Sequence, residues 1–373
     1  MTETVIIGGG LAGAAAATLL AHAGKPPLLL ERDAAPADKI CGEFLSTEAQ
    51  AHLAALGFDV GRLGGAPISR IRLVAGARSA EAALPFTAIG VSRRVLDAAL
   101  LDHAAAAGAE IQRGVSVRGI DGGSLATSAG PVNAGTVLLA SGKHEVRGAA
   151  RDTKGTIDDL IGFKQYFRVD AAAHAALAGM IEVHLFDGGY AGLQLIEGGV
   201  ANLCLLVTRA RFAALGRNWD ALFAALMTEP LLARRLADAQ PLLPKPLTIS
   251  GVPYGFIHHA SPTDPARLFR MGDQAGVIPS FSGDGMSIAL HSGRLAAHAV
   301  AAGADAATYH ARLRGDVARQ IRLATWLQRA GFSGIGQRLM IGVIGIAPAL
   351  LGAIAGATRV PEPALKRAGL AIS

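Results

Sequence analysis

The sequence lacks any metal-ligand spacing. Only two cysteines occur, Cys41 and Cys204, and no H-x-x-H, C-x-x-C or carboxylate cluster accompanies them. Neither a disulfide framework nor a metal site is expected. Aromatic residues are scarce, 5% of 373, and no lysine or arginine run stands out. The net charge of +6 therefore points away from nucleic acid, whose recognition needs clustered basic side chains and stacking rings. Such an excess better meets phosphates or an anionic surface. Charged residues are few, 17%, against 51% hydrophobic, the balance of a folded protein rather than a disordered one. The start of the chain shows no charged stretch followed by an apolar run, so a cytoplasmic location is expected. No internal repeat and no low-complexity linker interrupts the chain.

Glycine is abundant, with 47 residues, and its first cluster organises the rest. Val5-Ile6-Ile7-Gly8-Gly9-Gly10-Leu11-Ala12-Gly13 runs from a strand-like segment into an alanine-rich helix. Gly8, Gly10 and Gly13 meet the G-x-G-x-x-G spacing. Gly8 allows a tight turn, Gly10 lets the backbone approach a pyrophosphate, and Gly13 lets helix and strand pack closely. The helix start at Leu11 and Ala12 aims N–H groups and positive charge at the phosphates. A second apolar run, Pro27 to Leu30, ends in Glu31 and Arg32. Glu31 stands roughly eighteen residues after Gly13, where a ribose hydroxyl partner belongs.

Further along, Ser46 to Leu56 reads as a helix capped by Ser46, and Arg93 to Ala107 as an amphipathic helix. Strands are expected at Ile68–Val74, Arg78–Leu84, Ala109–Gln112, Val115–Ile120 and Val132–Ala140. From about Gly162 short strands alternate with glycine turns: Phe163–Val169, Glu182–Phe186, Tyr190–Ile196 and Ala201–Thr208. That texture predicts an antiparallel sheet. Two helices follow, roughly Trp219–Leu226 and Leu231–Ala239, then a strand at Leu268–Met271 and long helices at Ser282–Gly303 and Tyr309–Ala330. Leu339 to Ala357 carries no charge and has the length of a membrane span. Its glycines and Pro348 favour a broken pair of short helices, with peripheral lipid contact as an alternative.

A second motif follows the late strand: Leu268-Phe269-Arg270-Met271-Gly272-Asp273-Gln274-Ala275-Gly276, then Pro279-Ser280-Phe281-Ser282-Gly283-Asp284-Gly285-Met286. With these segments the chain resembles the FAD-dependent oxidoreductases of the aromatic-hydroxylase (p-hydroxybenzoate-hydroxylase-like) fold, especially the geranylgeranyl-reductase-like branch. The resemblance implies that Gly272-Asp273 meets the ribityl chain of FAD. Gly283, Gly285 and Met286 then present a helix start to the isoalloxazine, stabilising reduced flavin. Lys39-Ile40-Cys41-Gly42-Glu43 is similar to the family's segment beside the flavin. Arg93-x-x-Leu96-Asp97 is similar to its phosphate-reaching arginine helix, and Val115-Ser116-Val117 to its adenine strand. Where many hydroxylases carry Asp-Gly, this chain has Ser141-Gly142-Lys143-His144, which puts ordinary NADPH docking in doubt. The Trp-x-Trp-x-Ile-Pro segment of tryptophan halogenases is missing from Tyr190–Ile196.

The implied fold class is α/β. Residues 1–66, 88–158 and 264–304 form a discontinuous Rossmann-like FAD-binding domain. Residues 67–87 and 159–263 form an inserted antiparallel-sheet substrate domain, and 305–373 a C-terminal helical tail. The cofactor the resemblance implies is FAD, and NADPH or NADH is a candidate reductant. The function expected first is a monooxygenase that hydroxylates a hydrophobic aromatic or polyketide-derived molecule through a flavin C4a-hydroperoxide. The alternatives are reduction of a carbon–carbon double bond in an isoprenoid or lipid-like substrate, and an electron-relaying flavoprotein. The resemblance sets Cys41 to contact or tune the flavin and Glu43 to carry a proton. The sheet should wall the pocket with Phe167, His184, Tyr190 and Leu193, and with Phe163, Tyr166, Phe186 and Leu195 as further candidates. His258 and His259 read as loop histidines near the site. The apolar tail is expected to act as a lid over a long hydrophobic substrate, with peripheral membrane contact as the alternative.

Overall fold

A computed structural model describes residues 2–261, 264–331, 352 and 356–370. In chain order these form β1 (Thr2–Ile7), α1 (Leu11–His22), β2 (Leu28–Glu31), β3 (Phe44–Leu45), α2 (Thr47–Ala54), β4 (Ala66–Ala75), β5 (Arg78–Gly90), α3 (Arg93–Ala106), β6 (Glu110–Arg113), β7 (Val117–Asp121), β8 (Ser124–Thr127) and β9 (Gly130–Leu139). There follow β10 (Leu160–Arg168), α4 (Ala171–Leu177), β11 (Gly179–Phe186), β12 (Gly189–Leu195), β13 (Ala201–Thr208), α5 (Arg209–Ala214), α6 (Trp219–Leu226), α7 (Pro230–Leu236), β14 (Gln240–Pro241), β15 (Leu247–Ser250), β16 (Leu268–Arg270), α8 (Gly285–Ala301), α9 (Ala306–Gly331) and α10 (Glu362–Arg367).

Two sheets divide the strands. The first runs β6-β2-β1-β9-β8-β7, with β16 also beside β9. Its centre is parallel: Val5 pairs with Leu28 on one side and Val137 on the other, and Leu268 pairs with Val137. Strands buried on both faces read as continuous apolar runs, as Val5–Ile7 and Val137–Leu139 do. Helix α1 crosses this sheet with Leu11, Ala14–Ala17 and Leu20 all buried. It lies between the sheet and α8, so it is apolar all round rather than on one stripe. The crossing is close because a Cβ on Gly293 of α8 would sit 2.3 Å from the Ala12 carbonyl oxygen.

The second sheet runs β14-β10-β13-β12-β11-β4-β5-β3, with β15 also beside β10. It is antiparallel except where β11 meets β4. One face carries Phe163, Phe167, Leu193 and Leu203 into a core with Leu222 and Leu232 of α6 and α7. The other face looks toward the first sheet.

The expected α/β architecture is present. Local details depart from the sequence pattern. The hairpin partner β8, the short strands β14 and β15 and the helices α4 and α5 were not legible; each is brief and takes its pairing or packing from distant chain. Helix α8 begins at Gly285, not Ser282, because Gly283 sits at φ 69° and ends a preceding turn. The expected lid and membrane-contact segment, Leu339–Ala357, lies almost wholly outside the described residues. Among the described residues no helix is long and apolar enough to cross a membrane.

Candidate functional site

Between the sheets lies a cavity of about 810 Å³, walled by the first glycine turn, the 38–44 segment, the 140–146 loop, the inner face of the second sheet and the turn into α8. The glycine turn shows why its residue types are needed. Gly8 has φ 102°, and a Cβ there would meet the Ala140 carbonyl oxygen at 2.4 Å; one on Gly13 would meet the Gly8 oxygen at 1.9 Å. Gly10 caps α1 with no side-chain bond to its first N–H groups. Those donors are left for an anion. Glu31 Oε2 accepts from Gly9 N at 2.5 Å and Oε1 from Asp33 N at 2.9 Å. The acid thus braces the turn, while its remaining lone pairs stay open for a hydroxyl. Gly8, Gly10, Leu11, Ala12, Glu31, Arg32 and Val117 line the cavity; Gly13 instead makes the helix–strand contact.

Arg93 stands over this turn. A Cβ on Gly10 would lie 3.4 Å from its guanidinium. Its Nε and Nη2 bind Asp97 at 2.6 and 2.8 Å, and Lys39 Nζ lies 3.1 Å from the same carboxylate. Two cations share one anion, so net positive charge remains beside the open N-terminus of α1. Asp97 belonged to the arginine motif yet was not singled out; its i, i+4 spacing from Arg93 was the available signal.

The 39–43 segment is pinned from the second sheet. Glu43 is fully buried at φ 60°. Its Oε1 accepts from Lys164 Nζ at 2.5 Å, the Tyr166 hydroxyl at 2.8 Å and Arg93 N at 2.8 Å. Lys164 also donates to the Lys39 carbonyl at 3.0 Å, Gln194 to the Glu43 carbonyl at 2.9 Å and Asn202 to the Gly42 carbonyl at 3.0 Å. Burial pushes the Glu43 carboxyl upward, opposed by Lys164, Arg93 N and Tyr166. With three donors on one oxygen, Glu43 is a peg that holds Cys41 at the cavity wall. Glu43, expected as a proton carrier, also lines the cavity, and its Oε2 has no hydrogen-bond partner among the described residues. Lys164, Gln194 and Asn202 were missed. Their signal was a polar residue at an inward position of an apolar strand.

The second motif closes the far end. Gly272 has φ 56° and donates its N–H to Ser292 Oγ at 2.8 Å. Asp273 faces the cavity with Lys143 Nζ 3.3 Å away, and Gln274 Nε2 ties down the Gly142 and His144 carbonyls at 2.8 and 3.0 Å. The loop that departs from the Asp-Gly pattern is therefore joined to the Gly-Asp motif through an ion pair. Gly142, Gly272, Gly283, Gly285 and Met286 line the cavity, and α8 starts without a side-chain cap. Ser280 Oγ donates to the Tyr254 hydroxyl at 3.0 Å, and Tyr190 stands edge-on to Phe281 at 6.4 Å on the same cavity wall. Burial pushes Tyr254 up to about 12 and Tyr190 well above its ordinary value.

Strand alternation decides the substrate wall. Ile181, Val183 and Leu185 of β11, Tyr190, Gly192 and Gln194 of β12, and Cys204 of β13 face the cavity. Of the expected wall residues, Tyr190 is there. Phe167, Leu193 and His184 are not, and neither are Phe163, Phe186 or Leu195. Phe167 stacks on Phe223 at 5.8 Å, and Leu193 packs in the same helix-covered core. His184 pairs with Glu229 at 2.7 Å and Glu182 at 3.5 Å. A period of two sends each residue to the opposite face from its neighbour. Ile71, Leu73 and Leu84 of β4 and β5 complete the wall. His258 packs edge-on against His310 at 4.4 Å and pairs with Asp264 at 3.2 Å, away from the cavity.

These residues fit an extended dinucleotide flavin. A Cβ on Gly42 or Gly142 would meet nothing within 4 Å, both helix starts are open, and cations flank the first of them. The comparisons agree. Residues 1–129 match the family model described as FAD binding domain. A menaquinone reductase of Mycolicibacterium smegmatis is 26% identical over 329 residues, covering 81% of this chain and 76% of the relative. Among solved structures, a triple mutant of the flavin-dependent brominase Bmp2 superposes with TM-score 0.76 at 17% identity, covering 96% and 94% of the two chains. A geranylgeranyl bacteriochlorophyll reductase-like protein from Thermoplasma acidophilum gives 0.73 at 17% identity, covering 98% and 95%.

Proposed function

We propose that this FAD-dependent oxidoreductase, of the fold shared by those flavoproteins, saturates a carbon–carbon double bond in an elongated apolar substrate of isoprenoid or quinone-linked type. The observation that carries the reading is the pair of buried tyrosines, Tyr190 and Tyr254, packed in one cluster at the cavity wall, with Tyr254 bonded to Ser280. Reduction of a double bond adds hydride to one carbon and a proton to the next, so it needs an acid beside the substrate. Both hydroxyls stay protonated through physiological pH because burial raises them. Bound FAD, once reduced, supplies the hydride, with NADPH or NADH as the proposed electron source.

The chain's own residues do the rest. Gly10, Arg93 and Lys39 would hold the phosphates of the cofactor, and the Lys143–Asp273 pair on the cavity wall would hold its ribityl part. Glu43 and Lys164 hold the Cys41 segment against it. Ile71, Leu73, Leu84, Val183 and Leu185 exclude water and accept an apolar chain. Tyr254 gives up the proton and regains it through Ser280, with Tyr190 as the second donor on the wall. Likeness to a menaquinone reductase and to a geranylgeranyl reductase-like structure supports this reading.

Hydroxylation of an aromatic or polyketide-derived substrate is the second reading, favoured by the apolar wall and the brominase likeness. An electron relay is the third. The test is anaerobic incubation of the flavin-loaded, NADPH-reduced protein with polyprenyl quinones in deuterated water. The expected product, after reoxidation of the quinone ring, keeps two added hydrogens on the carbons of the side chain, with deuterium at the protonated carbon. Tyr190→Phe or Tyr254→Phe should slow it by roughly 10²-fold or more. Turnover only with oxygen, with gain of one oxygen, would overturn the reductase reading in favour of the hydroxylase. Flavin reduced only by a protein donor, with no product, would favour the relay.

A further inference from the structure

Helix α9 presents two unlike faces at its C-terminal end. Leu327, Gln328 and Gly331 line the cavity. On the opposite side of the same turns Arg319, Arg322, Trp326 and Arg329 are exposed, Trp326 to 66%. Positions 315, 319, 322, 326 and 329 follow the helical period and make one stripe. Towards its start, Arg314, Arg319 and Arg322 rim a shallow groove floored by Ala311, Gly315 and Ala318. The only acid of this helix, Asp316, is buried on the inner side with His291 and Arg367. Among the described residues no carboxylate is paired with Arg314, Arg319 or Arg322.

We propose that this face of α9 docks on the headgroup layer of an anionic lipid bilayer. Charge complementarity names the partner. The stripe carries arginines and no exposed acid, the pattern attracted by a negatively charged leaflet. Guanidinium forks match phosphate headgroups, and their stems lie along apolar surface while the charge stays wet. A tryptophan this exposed is out of place in water but suits the headgroup level, where an apolar ring and a polar N–H both find partners. The inner side of the helix supplies the reason for a bilayer rather than a nucleic acid. A membrane on the outer face would lie about one helix diameter, roughly 10–12 Å, from an apolar cavity. The surface goes beyond the proposed reaction, and binding is read without turnover.

The test uses the full chain loaded with FAD and co-sedimented with vesicles of phosphatidylcholine alone or with one third phosphatidylglycerol. Binding is expected to the anionic vesicles only and to fade in high salt. Arg319→Ala with Arg322→Ala should weaken it roughly thirty-fold, at about 1 kcal/mol for each arginine. These arginines are exposed, so an unchanged melting temperature would show that the double variant is folded. In a Trp219→Phe background, emission from Trp326 should shift to the blue and be quenched by brominated lipid. The proposal is overturned by no binding, by binding that ignores the double substitution, or by Trp326 emission that ignores the lipid. It is also overturned if duplex DNA binds through the same arginines and the vesicles do not.

Discussion

Glu43 shows how a single residue changes meaning once its neighbours are known. An acid beside a flavin-like motif reads as a proton carrier. Its carboxylate is fully buried, with Lys164 at 2.5 Å and Tyr166 at 2.8 Å, so it also carries a structural load. Removing one member of such a pair leaves an unpaired buried charge. Glu43→Gln should therefore lower stability by about 3–5 kcal/mol, and Glu43→Gln with Lys164→Met should recover most of it; urea unfolding of the three proteins checks this. A double variant no more stable than the single one would show that the pair does not act as a unit. Asp284 carries a pH dependence. Burial, set against Arg359 at 3.6 Å, pushes its carboxyl up to about 8. The folded state then holds a proton that the unfolded chain releases near pH 4. Stability from this group is full below that pH and falls as pH rises to about 8, by at most roughly 1.4 kcal/mol per unit. Asp284→Asn should flatten the decline between pH 5 and 8 in urea midpoints, and an unchanged slope would refute the assignment. Neither partnership was legible, because Glu43 and Lys164 are far apart in the chain and meet only when the sheets face each other.

At the scale of elements, strand alternation and helix crossings decide most of the site. The choice among Phe167, His184, Tyr190 and Leu193 turned on which face of each strand met α6 and α7. A hydrophobicity pattern cannot tell a core face from a cavity face when both are apolar. Phe167→Ala should lower stability by about 3–5 kcal/mol yet leave the KM for substrate unchanged, measured by unfolding and steady-state kinetics on one preparation. A raised KM would return Phe167 to the cavity. The crossing of α1 and α8 makes a second case. A side chain on Gly293 would strike the Ala12 carbonyl oxygen at 2.3 Å. Gly293→Val should push α8 away from α1, destabilise by roughly 1–3 kcal/mol and loosen FAD, read as faster flavin loss on dilution. Gly8 and Gly13 announced themselves by spacing. Gly293 had no motif around it, since its need comes from a helix distant in sequence.

On the scale of the whole molecule, the cavity is shared by two sheets, and a cofactor spanning it would stabilise both against unfolding together. Ligand bound only to the folded state adds about 2.7 kcal/mol at one hundred times Kd. Calorimetry of the flavin-loaded protein should give one transition at a higher Tm than the apoprotein, rising with free FAD. Two separate transitions, one unaffected by FAD, would mean that the sheets unfold independently. The sequence by itself determined the nucleotide cradle, the order of its motifs and the α/β class. Those features depend on local backbone freedom: glycines at φ values other residues avoid, helix starts that leave N–H groups open, and runs of apolar residues suited to parallel strands. Only the tertiary structure decided which strand faces wall the cavity, which acid Lys164 pins, which tyrosine meets Ser280 and which face of α9 is left bare. Each of those is a relation between segments far apart in the chain, set by how two sheets and their helices pack, and no local pattern records it.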